Sequence, residues 1–383
     1  MYEALINSIR SVQNFPDGPI PLHAPVFAGN EKKYVLDTIE STFVSSVGEY
    51  VTRFENLLAE YCGSKRAVAC CNGTSALEIA LRLAGVRNED LVLTQALTFV
   101  ATANAIVHAG AEPVFLDVDR DTLGLSPKAV ANFLNKHCRL EGKQCRHTQS
   151  GRRVAVCVPM HTFGHPAHMD ELLAVCQEWN IPIVEDAAEA LGSTYKGQHC
   201  GTMGQVGILS FNGNKTVTTG GGGAVLTNDQ ALGTLAKHLT TTAKLPHRWE
   251  FRHDAVAWNF RLPNLNAALG CAQMEQLDHF LSIKRARAKA YEKLFRNSEW
   301  QFVAEPQGCR SNYWLCAVLT NSRSERDTFL AEANDAGLGT RPVWKPLHTL
   351  PMFKDCQCDE LQVTMDITAR LVNLPSGVVD GKI

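Results

Sequence analysis

The stretch Ala67-Val-Ala-Cys-Cys-Asn72-Gly-Thr-Ser75-Ala-Leu-Glu-Ile-Ala-Leu-Arg-Leu83 changes its period at Asn72. Before that point every residue is apolar, as in a short strand buried on both faces. After it, apolar residues recur at helical spacing. The same alternation continues downstream. Leu91-Val-Leu93 reads as a strand, and a helix follows from about Phe99 to Ala109. Pro113 to Asp117, Val154 to Val158 and Pro182 to Glu185 read as further buried strands with helices between them. Near-continuous apolar strands alternating with helices predict an α/β fold, with a largely parallel sheet covered on both faces. Such sheets collect ligands at the carboxyl ends of their strands.

Outward from this core the rhythm differs. Met1 to Arg10 reads as a short amphipathic helix, and Gly29 to Glu60 reads as helical. Arg139 to Arg153 is polar and basic, the pattern of an exposed loop. Beyond Thr227, Ala268 to Ser298 predicts one long amphipathic helix carrying the basic segment Lys284 to Lys289. A strand at Tyr313 to Leu319 and a helix at Glu325 to Ala336 follow. The expected organisation is an N-terminal segment (1–28), a large α/β domain (29–235) and a smaller α+β domain (236–383).

The chain has 383 residues, 45% of them hydrophobic, and a formal net charge of −2. That balance argues against a nucleic-acid or membrane-surface binder, whose basic excess would show. No apolar run approaches the roughly 20 residues needed to span a bilayer. The N-terminus lacks a secretory pattern. Thirteen cysteines are scattered without a Cys-x-x-Cys repeat, and several lie in apolar runs where they act as small hydrophobes. A reducing, cytoplasmic setting is expected.

Two charged residues stand where a parallel sheet gathers ligands. Asp186 closes the strand-like Ile181-Pro-Ile-Val-Glu-Asp186-Ala-Ala-Glu189. Lys215 lies in Ser210-Phe-Asn-Gly-Asn-Lys215-Thr-Val-Thr-Thr-Gly-Gly-Gly-Gly223. A Schiff-base lysine and a carboxylate facing a pyridinium nitrogen are the pair that pyridoxal phosphate chemistry requires. Asn72-Gly73-Thr74-Ser75, at a helix N-terminus, suits a phosphate monoester, with plain N-capping as the alternative. Ser210 adds a hydroxyl, and Phe99 offers a flat ring at the end of a strand. His161-Thr-Phe-Gly-His165-Pro-Ala-His168 lacks the helical spacing and the glutamate of a zinc-protease motif. No metal is expected there, and His161 reads as a residue near Asp186 or Lys215 and as a candidate to bind substrate.

Taken in order, these motifs resemble the DegT/DnrJ/EryC1/StrS family of sugar aminotransferases over nearly the whole chain. The matching segments are Asn72 to Leu77, Leu97 to Thr102, His161 to Gly164, Glu185 to Gly192, Ser210 to Gly223, Trp258 to Pro263 and Pro342 to His348. The resemblance implies the aspartate aminotransferase (type I) fold and a homodimer with shared sites. It assigns Lys215 as Schiff-base lysine and proton shuttle, and Asp186 as partner of the pyridinium nitrogen. Glu189 falls near the cofactor's phenolic oxygen, where many members carry glutamine, and Phe99 becomes the ring-stacking aromatic. Gly73, Thr74, Ser75 and Ser210 form the phosphate cradle, and Asn259 reaches it from the neighbouring subunit. A finer resemblance, to the legionaminic-acid branch, rests on Phe211 to Thr216, the glycine run and Gly339 to Trp344. It implies a UDP-linked 4-keto-6-deoxy-N-acetylhexosamine as acceptor and L-glutamate as donor. Arg341, Lys345 and His348, in a proline-rich segment, are candidates to hold the nucleotide diphosphate, with a solvated basic loop as the alternative. A keto-cyclitol or amino-acid aminotransferase, or a cofactor-binding regulator without catalysis, remain the competing functions.

Overall fold

The computed structural model describes residues 1–14 and 18–378. Among them, seven strands build the central sheet: β1 (Arg66–Cys70), β2 (Leu91–Gln95), β3 (Glu112–Leu116), β4 (Val154–Val158), β5 (Val184–Asp186), β6 (Val206–Ser210) and β7 (Gly223–Thr227). Their order is β3-β2-β4-β5-β6-β7-β1, with β4 and β5 joined through the bridges Cys157–Ile183 and Met160–Asp186. All run parallel except β7, which is antiparallel to both neighbours. That reversal has a consequence for the site. β7 starts at the edge where the others end, so Gly223 pairs with both Cys70 and Ser210.

Successive side chains of a strand face opposite sides, and two cores result. Val225 and Ile208 pack with Leu77 and Ile79 of the helix Gly73–Leu83 and with Ile106 of the helix Val100–His108. Ala224, Leu226 and Leu209 pack on the other face, with Phe54 and Leu58 of the helix Glu49–Cys62 and with Ala267 and Cys271 of the helix Asn264–Met274. The buried strands thus meet helices on both sides, as their apolar runs predict.

Several expected boundaries shift. A limit after residue 235 falls inside the helix Gln230–Thr240, and Asn264–Met274 packs with the large domain. The packing of the large domain therefore continues past residue 235, through the helix Asn264–Met274. The expected helix over Ala268 to Ser298 is two helices, Asn264–Met274 and Leu277–Phe295. Tertiary ties hold the break, with Glu275 accepting from Arg53 Nη2 at 2.9 Å and Gln276 donating to Glu31. Gly29 to Glu60 likewise divides into Glu31–Glu40 and Glu49–Cys62. Arg139 to Arg153 is not simply a loop, because Cys138–Glu141 and Gln144–His147 form a hairpin about Gly142.

The small domain is a four-stranded antiparallel sheet in the order Gln301–Phe302, Cys316–Leu319, Leu371–Leu374, Arg341–Pro342. The N-terminal helix Glu3–Val12 belongs to it, burying Ile6 and Ile9 against Tyr291 and Phe295 of the long helix Leu277–Phe295. Lys284, the first residue of the basic segment, is buried. Its ammonium donates to the carbonyls of Trp314 (3.2 Å) and Ser376 (2.5 Å).

Candidate active site

At the carboxyl edge of the sheet the Asn72 turn, Asp186, Glu189, Ser210, Lys215 and the glycine run converge on a cleft of about 320 Å³. A wider, open groove of about 840 Å³ lies between the helix Pro127–His137 and residues 359–363 and contains none of these residues.

Asp186 forms the floor. It ends β5, and the pleat turns its side chain away from that of Glu185. Thr102 donates its hydroxyl to Asp186 Oδ2 at 2.7 Å, and the N–H of Ala188 donates to Oδ1 at 3.2 Å. Thr98 Oγ1 stands 2.8 Å from Thr102 Oγ1, one helical turn back, and fixes that hydroxyl. Burial raises the pKa of Asp186, while Thr102, the Ala188 N–H and Lys215 oppose the rise.

Lys215 Nζ lies 3.3 Å from Glu189 Oε1 and 4.0 Å from the centre of the Trp314 ring. The Trp314 indole N–H donates to the Asn214 carbonyl at 2.7 Å, which ties the ring to the loop that carries the lysine. Burial pushes the Glu189 carboxyl up to about 7, against the pull of Lys215 and of the Phe163 N–H. That N–H reaches Glu189 Oε2 at 2.9 Å because Phe163 adopts a left-handed φ of 56°, a conformation costly for a bulky residue and characteristic of sites that need it.

Pyridoxal phosphate fits this donor set. A Cβ on Gly73 would stand 2.9 Å from Ser210 Cβ, and one on Gly223 would stand 2.5 Å from the Asn72 carbonyl. Glycine at both positions lets the turn, β6 and β7 close into a cradle. The Asn72 side chain and carbonyl accept from the amides of Ser75 and Ala76. The amides of Gly73 and Thr74 precede the first intrahelical bonds, and both residues line the cleft. With the hydroxyls of Thr74 and Ser210 they can hold a phosphate dianion at the positive end of the helix. Asp186 would meet a ring nitrogen, Lys215 the aldehyde carbon, and Phe99 the face of the ring.

The comparisons agree with this geometry. Residues 26–379 match the model of the DegT/DnrJ/EryC1/StrS aminotransferase family. The chain belongs to that family. It is 37% identical over 357 residues to a GDP-perosamine synthase of Escherichia coli O157:H7, covering 93% of each chain. It is 32% identical over 369 residues to the GDP-perosamine synthase of Vibrio cholerae, covering 95% of this chain and 96% of the relative. The crystal structure of the aminotransferase TlmJ from Streptoalloteichus hindustanus superposes with a TM-score of 0.84 at 28% identity over 94% of both chains. The enzyme is a pyridoxal phosphate-dependent sugar aminotransferase of the type I fold.

Not every expected residue reaches the cleft. His161 is fully buried beneath it. Its Nδ1 accepts from the Ala167 N–H at 3.1 Å and its Nε2 donates to Glu185 at 3.0 Å. Glu185 in turn takes the N–H groups of Gly201, Met203 and Gly204. His161 therefore braces the floor rather than touching a substrate. Arg341 turns away to Asn334 Oδ1 at 2.6 Å, Lys345 is exposed, and neither they nor His348 line the cleft. Ser75 faces Cys71 Sγ at 3.5 Å instead of the cradle. Asn259 is exposed, outside its own chain's cleft, and accepts from Arg261 Nε at 2.8 Å.

Thr102, Trp314, Trp344, Met160, Asn212 and Asn214 line the cleft without having been singled out. Thr98 and Thr102, four apart at the start of a helix, carried a readable signal. Trp314 carried none, and Trp344 only its place in the matching Pro342 to His348 segment, since packing of the small domain on the large one brings both rings there.

Proposed function

We propose that the enzyme transfers the amino group of L-glutamate to the C4 keto group of a nucleotide-linked 4-keto-6-deoxy sugar. The observation that supports this reading is the convergence of Lys215, Asp186 and the Gly73–Ser210 cradle in one cleft with an aromatic outer wall. The bound cofactor supplies an electron sink for the carbanion formed at the donor's α-carbon. The protein does the rest. Asp186, kept dry and held by Thr102, keeps a proton on the ring nitrogen opposite it. Lys215 anchors the cofactor, and its amine, once freed, moves the proton at the reacting carbon. Glu189 and Trp314 keep that amine at the cleft floor. The cradle fixes the phosphate, so that binding energy orients the reacting groups.

The UDP-linked N-acetylhexosamine acceptor and its place in surface-polysaccharide or nonulosonic acid synthesis form the finer part of this proposal. A GDP-linked 4-keto-6-deoxyhexose is the second reading, favoured by the three relatives named GDP-perosamine synthase. Incubation with glutamate and a panel of GDP- and UDP-linked 4-keto sugars, keto-cyclitols and keto acids decides between them, with 2-oxoglutarate as readout. Turnover of keto acids or cyclitols alone would overturn the sugar reading, and cofactor binding without any turnover would favour a regulator.

Two copies are proposed to share each site. Ahead of the strip Trp258 to Arg261, the hairpin of Lys244–Leu245 and Arg252–His253 leaves Trp249 and Phe251 70% and 78% exposed, large apolar surfaces of the kind that a partner covers. Among the described residues no helix is long and apolar enough to cross a membrane. The thirteen cysteines are unpaired, in keeping with the proposed cytoplasmic setting.

A further inference from the structure

Lys215 is the one cationic side chain among the residues lining the cleft, and the cleft's two walls differ in kind. Asn72, Thr74, Ser210, Asn212 and Asn214 form a polar wall. The facing wall is aromatic. Phe99 lies 6.2 Å from Trp344 between ring centres, Trp344 lies 5.3 Å from Phe163, and Phe163 lies 6.5 Å from Trp314. Of these rings Phe99, Trp344 and Trp314 line the cleft, Trp314 5% exposed beside Lys215, Trp344 half-buried and Phe99 49% exposed at the mouth, while Phe163 is fully buried against Trp314 and Trp344.

Trp344 is held there by backbone. The Leu347 N–H donates to the Ala96 carbonyl at the end of β2 at 3.0 Å, which laces this small-domain segment onto the large domain. Val343 is buried on one side of Trp344 and Lys345 is exposed on the other. The indole is therefore the group that this segment offers to the cleft, between Phe99 at the mouth and Trp314 beside Lys215. A flat apolar face beside a polar wall matches a hexose, whose axial C–H groups make one face apolar and whose hydroxyls hydrogen-bond at its rim. Lacking its 6-hydroxyl, a 6-deoxy sugar places a methyl group against such a face without burying an unpaired donor.

We infer that Trp344 is a specificity-determining residue for the acceptor, receiving the apolar face and the 6-methyl group of the keto sugar. The inference rests on the sugar reading above. Glutamate offers no such face, so the two half-reactions should respond differently to loss of the indole.

The test follows each half-reaction of the loaded enzyme in single turnovers by cofactor absorbance, with L-glutamate for one and GDP-perosamine and its UDP-linked 4-amino counterpart for the other. In Trp344→Ala, the concentration of sugar nucleotide giving half-maximal rate should rise about tenfold, the scale of a lost aromatic contact. Trp344→Phe should stay within about twofold of wild type. The glutamate half-reaction and the thermal midpoint should move little in either variant. An unchanged sugar half-reaction in Trp344→Ala would overturn the assignment. So would equal losses in both half-reactions, which would mean that the ring serves the cofactor or the fold. Wild-type enzyme that reacts with glutamate but with neither sugar nucleotide would remove the acceptor reading itself, and this assignment with it.

Discussion

Replacing Thr102 by valine removes one hydroxyl from the Asp186 floor and keeps the shape of the side chain. In the wild type that hydroxyl donates at 2.7 Å to a carboxylate 5% exposed. A hydrogen bond to a charged group is worth about 1.5–3 kcal/mol, against about 1 kcal/mol for a neutral one. The valine variant should therefore lose about 2–3 kcal/mol of apoenzyme stability where Asp186 is ionised, and about 1 kcal/mol where it is protonated. The sign follows from linkage. Burial already raises the native pKa of Asp186 above its unfolded value, so ionisation costs stability once the pH climbs through the native pKa. Removing Thr102 raises that pKa further and deepens the cost. The difference between variant and wild type should thus be largest at pH 8 and shrink by at least about 1 kcal/mol as the pH falls through the raised pKa. Urea unfolding of both cofactor-free proteins at fixed protein concentration, from pH 8 down to pH 5, measures it. A difference that is the same at every pH would refute the reasoning, because the hydroxyl would then be filling space rather than serving the carboxylate.

Glu189→Gln should stabilise the apoenzyme above pH 7 by on the order of 3 kcal/mol relative to wild type, with the gain vanishing below about pH 4.5. The native carboxyl is raised to about 7 from an ordinary 4.5, so its cost builds between those values, where the unfolded chain ionises first, and is complete above pH 7. Parallel pH profiles in denaturant would contradict this. Gly73→Ala places a methyl group 2.9 Å from Ser210 Cβ, and overpacking of about 1–3 kcal/mol should weaken pyridoxal phosphate binding about tenfold or more in equilibrium dialysis. Unchanged affinity would mean that the cradle lies elsewhere. Subunit exchange between Lys215→Ala and Asn259→Ala, each first shown to be impaired alone, should restore activity, because one shared site in the hybrid carries both defects and the other neither. Persistent inactivity of the hybrid would place Asn259 in the site of its own chain.

The fold was legible because its signals are local. The period change at Asn72 marks a strand entering a capped helix, and the Asn72 side chain does accept from Ser75. Apolar runs such as Val154 to Val158 are buried along their whole length, as two-sided strands must be. The breaks within the two long helical stretches were not legible. Glu275 and Gln276 are good helix formers, and at the break their side chains pair with Arg53 and Glu31, more than 200 positions away, contacts that no local pattern announces.

Within the site, the sequence by itself determined the chemistry: a lysine, a buried aspartate and a glycine-rich phosphate turn, each at a strand end, where a parallel sheet gathers whatever its strands carry. The tertiary structure alone decided which residues face the cleft. Arg341, Lys345 and His348 share a segment with Trp344, and composition favours the cations as ligands of a diphosphate. The fold ties that segment to the large domain through the Leu347–Ala96 backbone bond and to its own sheet through the Arg341–Asn373 pairing, and the indole lines the cleft while the charges do not. Trp314 arrives from the segment that leads into the strand Cys316–Leu319 of the other domain, and its indole bond to the Asn214 carbonyl sets it over Lys215. Docking between domains turns on distant contacts and side-chain direction, and neither leaves a periodic trace in the chain.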